Sequence, residues 1–193
     1  MVETPAGRLP AELVTFHANG AVARVFPLNG KLSGYWTEAD EARLAETLTV
    51  STPLGALAAR IVAVAFDPAG GLRSLTFWPD EVVPVASPVG EIPVRLGVSF
   101  HPGGALRSVE PARPVPVATP IGPIKAYDPD AVGISGDDNS LEFAPDGGVV
   151  RVATIGTSVT VHLPDGSETV LSPGLRESIC GDGEHACRTG WVR

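Results

Sequence analysis

The chain has 193 residues, with 14 Lys and Arg against 22 Asp and Glu and a formal charge of −8. Hydrophobic residues make up 44% and charged residues 19%, enough apolar material for one cored domain, which excludes disorder of the whole chain. The acidity excludes a cationic nucleic-acid binder, no apolar run reaches the ~18 residues of a membrane span, and the start Met1-Val2-Glu3-Thr4-Pro5 lacks the features of a signal peptide, so a cytoplasmic protein without a membrane partner is expected.

The 22 Gly and 19 Pro suit many short strands and turns rather than long helices. Four segments superpose without gaps from a phenylalanine: Phe16-His17-Ala18-Asn19-Gly20, Phe66-Asp67-Pro68-Ala69-Gly70, Phe100-His101-Pro102-Gly103-Gly104 and Phe143-Ala144-Pro145-Asp146-Gly147. Six residues after each Phe comes an aliphatic residue (Val22, Leu72, Leu106, Val149), and nine after it another (Val25, Leu75, Val109, Val152). Position eight is Arg24, Ser74, Ser108 or Arg151. The unit reads as a hairpin in which a strand arrives at the Phe, a Gly-containing turn follows, and a return strand starts at position six. Positions six and nine differ by an odd number, so they share a strand face only if a bulge intervenes.

Along the chain, the first unit is followed by Thr37-Glu38-Ala39-Asp40, which resembles a capping box, and Leu44 and Leu48 lie four apart, so a helix is expected over 37–48. A second turn signature then alternates with the first: Thr52-Pro53-Leu54-Gly55, Ser87-Pro88-Val89-Gly90 and Thr119-Pro120-Ile121-Gly122. Ile61 to Ala65 is apolar on both faces, which predicts a strand covered on both sides. Before Phe100 the pattern alternates, with Val94, Leu96, Val98 and Phe100 on one face. The expected fold is therefore all-β, an antiparallel meander of repeated β-hairpins forming a curled single sheet or an open barrel-like or solenoid-like array, with one short helix. Residues 1–171 form the repeat-built domain, and 172–193 an irregular tail.

Asn29-Gly30-Lys31-Leu32-Ser33-Gly34-Tyr35-Trp36, together with the recurring Phe, turn, Gly, aliphatic units, resembles the MORN repeat and its bacterial variant. The likeness covers residues 13–36 best; later units are longer and lack the regular aromatic-Gly pairs. The resemblance implies an antiparallel sheet used for binding or scaffolding, and it brings no catalytic residues with it.

Chemistry-bearing residues are few. The loop from Asp128 to Asn139 concentrates oxygen ligands, and Asp128, Asp130, Asp137 and Asp138 are its candidate metal ligands, calcium being the cation such a set would favour. Asp128, Asp130 and Gly133 match three positions of an EF-hand loop, but Val132 and Asn139 break the pattern. Cys180, Asp182, Glu184, His185 and Cys187 cluster near the end of the sequence without the spacing of a zinc knuckle, which leaves a local disulfide or two free thiols. His17 and His101 occupy one repeat position, so a role at the turn edge is expected for both. Tyr35, Trp36, Phe77 and Trp78 anchor a binding face if exposed and belong to the core if buried.

Two functions fit these features. The first is a non-enzymatic protein-binding or scaffolding module, engaging a partner protein or a second copy through its sheet face or edge strands. The alternative is a small metal-dependent ligand binder or enzyme with its site in the acidic loop 128–139.

Overall fold

The computed structural model describes residues 1–29, 38–129, 131, 136, 139–154 and 158–171. The expected C-terminal tail, with its Cys and His cluster, lies outside the described residues.

The chain runs β1 (Val2–Thr4), β2 (Gly7–Leu9), β3 (Leu13–Phe16), β4 (Val22–Phe26), helix α1 (Glu38–Ala42), β5 (Thr47–Thr52), β6 (Gly55–Phe66) and β7 (Leu72–Phe77). It continues with β8 (Val83–Ser87), β9 (Gly90–Phe100), β10 (Leu106–Pro111), β11 (Val115–Thr119), β12 (Gly122–Ala126), β13 (Leu141–Phe143), β14 (Val149–Val152), β15 (Val159–His162) and β16 (Glu168–Leu171). One antiparallel sheet carries the order β14-β13-β10-β9-β7-β6-β4-β3 and does not close into a barrel. The all-β hairpin architecture with one short helix is thus present. Among the described residues no helix is long and apolar enough to cross a membrane.

The helix is shorter than the sequence suggests. It ends at Ala42, and Leu48 lies in β5, because the stretch Thr47-Leu48-Thr49-Val50, β-branched at all but Leu48, pairs with Leu57–Arg60 of β6 instead of continuing the helix.

The meander is double rather than plain. The first halves of the long strands β6 and β9 pair with β5 and β8 across the Thr/Ser-Pro-x-Gly turns, and their second halves enter the main sheet. Each such turn is held alike: the hydroxyl of Thr52, for example, donates to the Gly55 carbonyl at 2.7 Å and accepts the Leu54 amide at 3.1 Å. Gly55 sits at φ 106°, where a side chain is strained. A fourth copy, Thr4-Pro5-Ala6-Gly7, closes the β1–β2 hairpin with the same bonds. The Phe-anchored turns share a second bonding scheme, in which the amide of the residue after the Phe donates to the carbonyl four residues on. That scheme recurs a fifth time at Leu163–Ser167, where no Phe marks it.

The odd spacing of positions six and nine is resolved by a bulge in every hairpin. Phe16, Phe66, Phe100 and Phe143 lie opposite position six, the preceding residue lies opposite position eight, and position seven (Ala23, Arg73, Arg107, Val150) has no partner. The extra residue returns position nine to the face of position six. The result is a continuous cross-strand row, Val25, Val64, Leu75, Val98, Val109 and Leu141, each 0% exposed. Each such side chain contributes roughly 1.5–3 kcal/mol of burial. Within the run Ile61 to Ala65, Ile61 and Ala63 to Ala65 are buried and Val62 half-buried, so this part of β6 is largely covered on both faces, as its composition predicts.

Leu96 departs from the expected alternation. Arg95 pairs with Glu110 and Val98 with Val109, so residues 96 and 97 are extra on β9, and Leu96 is half-buried with φ 59°. A Cβ on Gly97 would lie 2.8 Å from the Cα of Gly136, which crosses there.

The Pro-containing hairpins pack on the Phe-anchored turns with an offset of one repeat. A Cβ on Gly70 would meet Pro5 at 3.5 Å, on Gly104 Pro53 at 3.1 Å, and on Gly147 Pro88 at 3.2 Å. Each hairpin therefore covers the turn of the following unit. The β1–β2 hairpin lies over the second turn and not the first, and nothing among the described residues lies within 4 Å of a Cβ on Gly20. Phe66, Phe100 and Phe143 are at most 2% exposed, whereas Phe16 is 63% exposed. Phe66→Ala should therefore lower stability by about 3–5 kcal/mol, while Phe16→Ala should stay within about 0.5 kcal/mol of wild type. Urea denaturation midpoints at constant m-value check the pair.

Candidate functional site

Opposite the aliphatic row runs a polar one. Ser74, Ser99 and Ser108 are cross-strand neighbours at 2%, 1% and 2% exposure, with Arg24 and Arg151 towards the two ends. Ser99 and Ser108 share a 2.6 Å hydrogen bond. Buried hydroxyls need partners, and part of the supply comes from the insertion between β12 and β13. Asn139 donates from Nδ2 to the Ser108 hydroxyl at 2.7 Å, and the Gly136 amide donates to Thr76 at 2.9 Å.

Both ends of that insertion meet one carboxylate. Glu110 is 0% exposed; its Oε1 accepts the Asp128 amide at 3.2 Å, and its Oε2 accepts the Ser140 amide and hydroxyl at 2.8 and 2.6 Å. Arg95 lies 4.0 Å from Glu110, hydrogen-bonds the Asp128 carbonyl and stands 5.7 Å from the Tyr127 ring centre. Burial pushes the Glu110 carboxyl above its ordinary value, against the opposing pull of the Ser140 and Asp128 donors and the Arg95 charge. Glu110 is thus a structural clasp that no pattern in the sequence singled out: it stands in a strand, and its partners are 18 and 30 residues away.

Of the candidate metal ligands, Asp128 lies at the clasp with both its backbone polar groups engaged. Asp130, Asp137 and Asp138 lie outside the described residues. Among the described residues, no three His, Cys, Asp or Glu side chains gather to hold a metal ion. Phe77 and Trp78 are 1% and 5% exposed, so they belong to the core and form no exposed patch; the end of β7 is packed where the Trp78 amide bonds the Arg60 carbonyl and Arg60 pairs with Glu81 at 2.7 Å. Tyr35 and Trp36 lie outside the described residues. His17 and His101 reach across to the next unit: Nε2 of each donates to the carbonyl of Phe66 and Phe143, at 3.0 and 2.8 Å.

Exposed apolar side chains are spread over the molecule, and three of them, Leu13, Phe16 and Val150, stand on the two end strands of the main sheet. Among the described residues, β3 pairs only with β4 and β14 only with β13, so each keeps an open outer edge. β3 exposes Phe16 at 63% and Leu13 at 38%; β14 exposes Val150 at 60%. Beside β14 lies a groove of about 300 Å³, lined by Thr119, Pro120, Ile121 and Ile124 of the fourth Pro-containing hairpin and by Val149–Val152. No protein-family model matches the chain, and no curated protein or solved structure matches it either.

The clasp makes stability depend on pH in a defined direction. Because the folded carboxyl holds its proton more tightly than the unfolded one, stability from this group falls as pH rises from about 4.5 through the raised folded value. Glu110→Gln presents an amide group to one of three hydrogen-bond donors and should lower stability by about 1–3 kcal/mol. The wild-type advantage over this variant should be largest at acid pH and shrink towards neutrality. Melting temperatures of both proteins from pH 4.5 to 8 check this; an advantage that grows with pH contradicts it.

Proposed function

We propose that the chain is a non-enzymatic binding or scaffolding module that engages a protein partner through the open ends of its hairpin ladder. The observation that carries this reading is the exposure of Phe16 on edge strand β3, at a repeat position whose other three phenylalanines are buried. An unpaired edge offers backbone donors and acceptors, and a bare aromatic beside it offers an anchor, the combination used in strand-addition recognition. The resemblance of the 13–36 region to MORN-type hairpins favours the same use. Of the polar groups on the opposite face, Thr76, Ser108 and Glu110 hydrogen-bond the insertion, and Glu110 is enclosed.

Immobilised wild-type protein and the double variant Leu13→Ser with Phe16→Ser should be compared for capture of proteins from a lysate. Both residues are exposed, so the variant keeps its fold. A partner held by the wild type and weakened by about 30-fold or more in the variant, as expected when a central aromatic anchor is lost, supports the reading. The same proteins held equally by both baits sink it.

A further inference from the structure

Resting on that binding reading, the geometry points to a specific occupant of the open end, a second copy of this chain joined head to tail. Inside the molecule, one interface recurs three times. The return strand of one unit pairs with the incoming strand of the next, as β4 with β6, β7 with β9 and β10 with β13. At the same junctions a Pro-containing hairpin packs its Pro on the following turn's Gly: Pro5 on Gly70, Pro53 on Gly104, Pro88 on Gly147. Each junction encloses a phenylalanine, 1%, 2% and 0% exposed for Phe66, Phe100 and Phe143.

The two halves of a fourth such junction both exist, at opposite ends of the sheet. At one end are the incoming strand β3, the bare Phe16 and the uncovered Gly20. At the other are the open return strand β14, the exposed Pro120 and the groove beside them. That groove is lined by the same parts, hairpin and return strand, that stand at the three internal junctions. The fifth turn does not fill this place: nothing lies within 4 Å of a Cβ on Gly166, and β15 pairs only with β16 among the described residues. Repeating the internal register sets Thr15 of one copy opposite Arg151 of the other and Val14 opposite Val152, extending both cross-strand rows, with Phe16 in the groove and Pro120 over Gly20. Because the two surfaces differ, the contact is heterologous and propagates into an open or ring-shaped assembly rather than closing as a two-fold dimer.

Sedimentation velocity of the purified full chain over a range of concentrations tests this, alone and as two variants, Phe16→Asp at one surface and Val150→Asp at the other. Both side chains are exposed, and unchanged melting temperatures establish that the variants fold. The wild type should show a concentration-dependent series of oligomers. Each variant alone should be monomeric, its self-association weakened about 30-fold or more. Their equimolar mixture should form dimers and nothing larger, because each contributes the one surface the other retains. A wild type that stays monomeric at all concentrations overturns the proposal, as does a mixture that stays monomeric or a closed dimer indifferent to either substitution. Those results leave the Phe16-dependent capture of another protein as a separate readout, so failure here is distinguishable from failure of the binding reading.

Discussion

The structure depends on one unpaired residue per hairpin. A strand turns its side chains over every second residue, so aliphatic positions six and nine after each Phe would point to opposite faces of a regular return strand. The bulge at position seven absorbs the mismatch, and the same device occurs in all four Phe-anchored hairpins of the main sheet. With it, the phenylalanines and both aliphatic positions lie on one face of the sheet, buried there for Phe66, Phe100 and Phe143, and the polar position eight lies on the other. A regular hairpin of the same sequence would place one of the two aliphatic positions in the polar row.

The two faces are then covered by different means. The aliphatic face receives the Pro-containing hairpins, whose outer strands β5 and β8 leave the path of the main sheet. The central part of the polar face receives the insertion between β12 and β13, held by hydrogen bonds to Thr76, Ser108 and Glu110. A buried carboxylate is a poor source of stability by itself. Its value lies in geometry, since three donors from two distant backbone sites converge on it and fix where the insertion leaves the sheet and where it returns.

Much of the architecture was legible because turn chemistry is local. Thr-Pro-x-Gly and Phe-x-x-x-Gly announce their bonds within five residues, and the need for a bulge followed from counting alone. Thr4-Pro5-Ala6-Gly7 has the same spelling and the same bonds, whereas the fifth turn, at Leu163–Ser167, has its bonds without the Phe. What stayed illegible is set by contacts between units. Nothing in the residues around Phe16 distinguishes it from Phe66; its exposure follows from the β1–β2 hairpin lying over the second turn, with β3 paired only to β4 among the described residues. Phe77 and Trp78 sit at a strand end, a place compatible with either fate, and packing decided for the core. Leu96 fits a two-residue period in sequence, yet the close passage of Gly136 over Gly97 takes it out of register.

The one-repeat offset also orders events in time. In every covered junction the hairpin precedes the turn it covers: Pro5 comes before Gly70, Pro53 before Gly104, and Pro88 before Gly147. A chain made from its N-terminus therefore has each covering hairpin in hand before the turn that it covers leaves the ribosome. Each phenylalanine then still awaits its own return strand, where Leu72, Leu106 and Val149 lie opposite Phe66, Phe100 and Phe143.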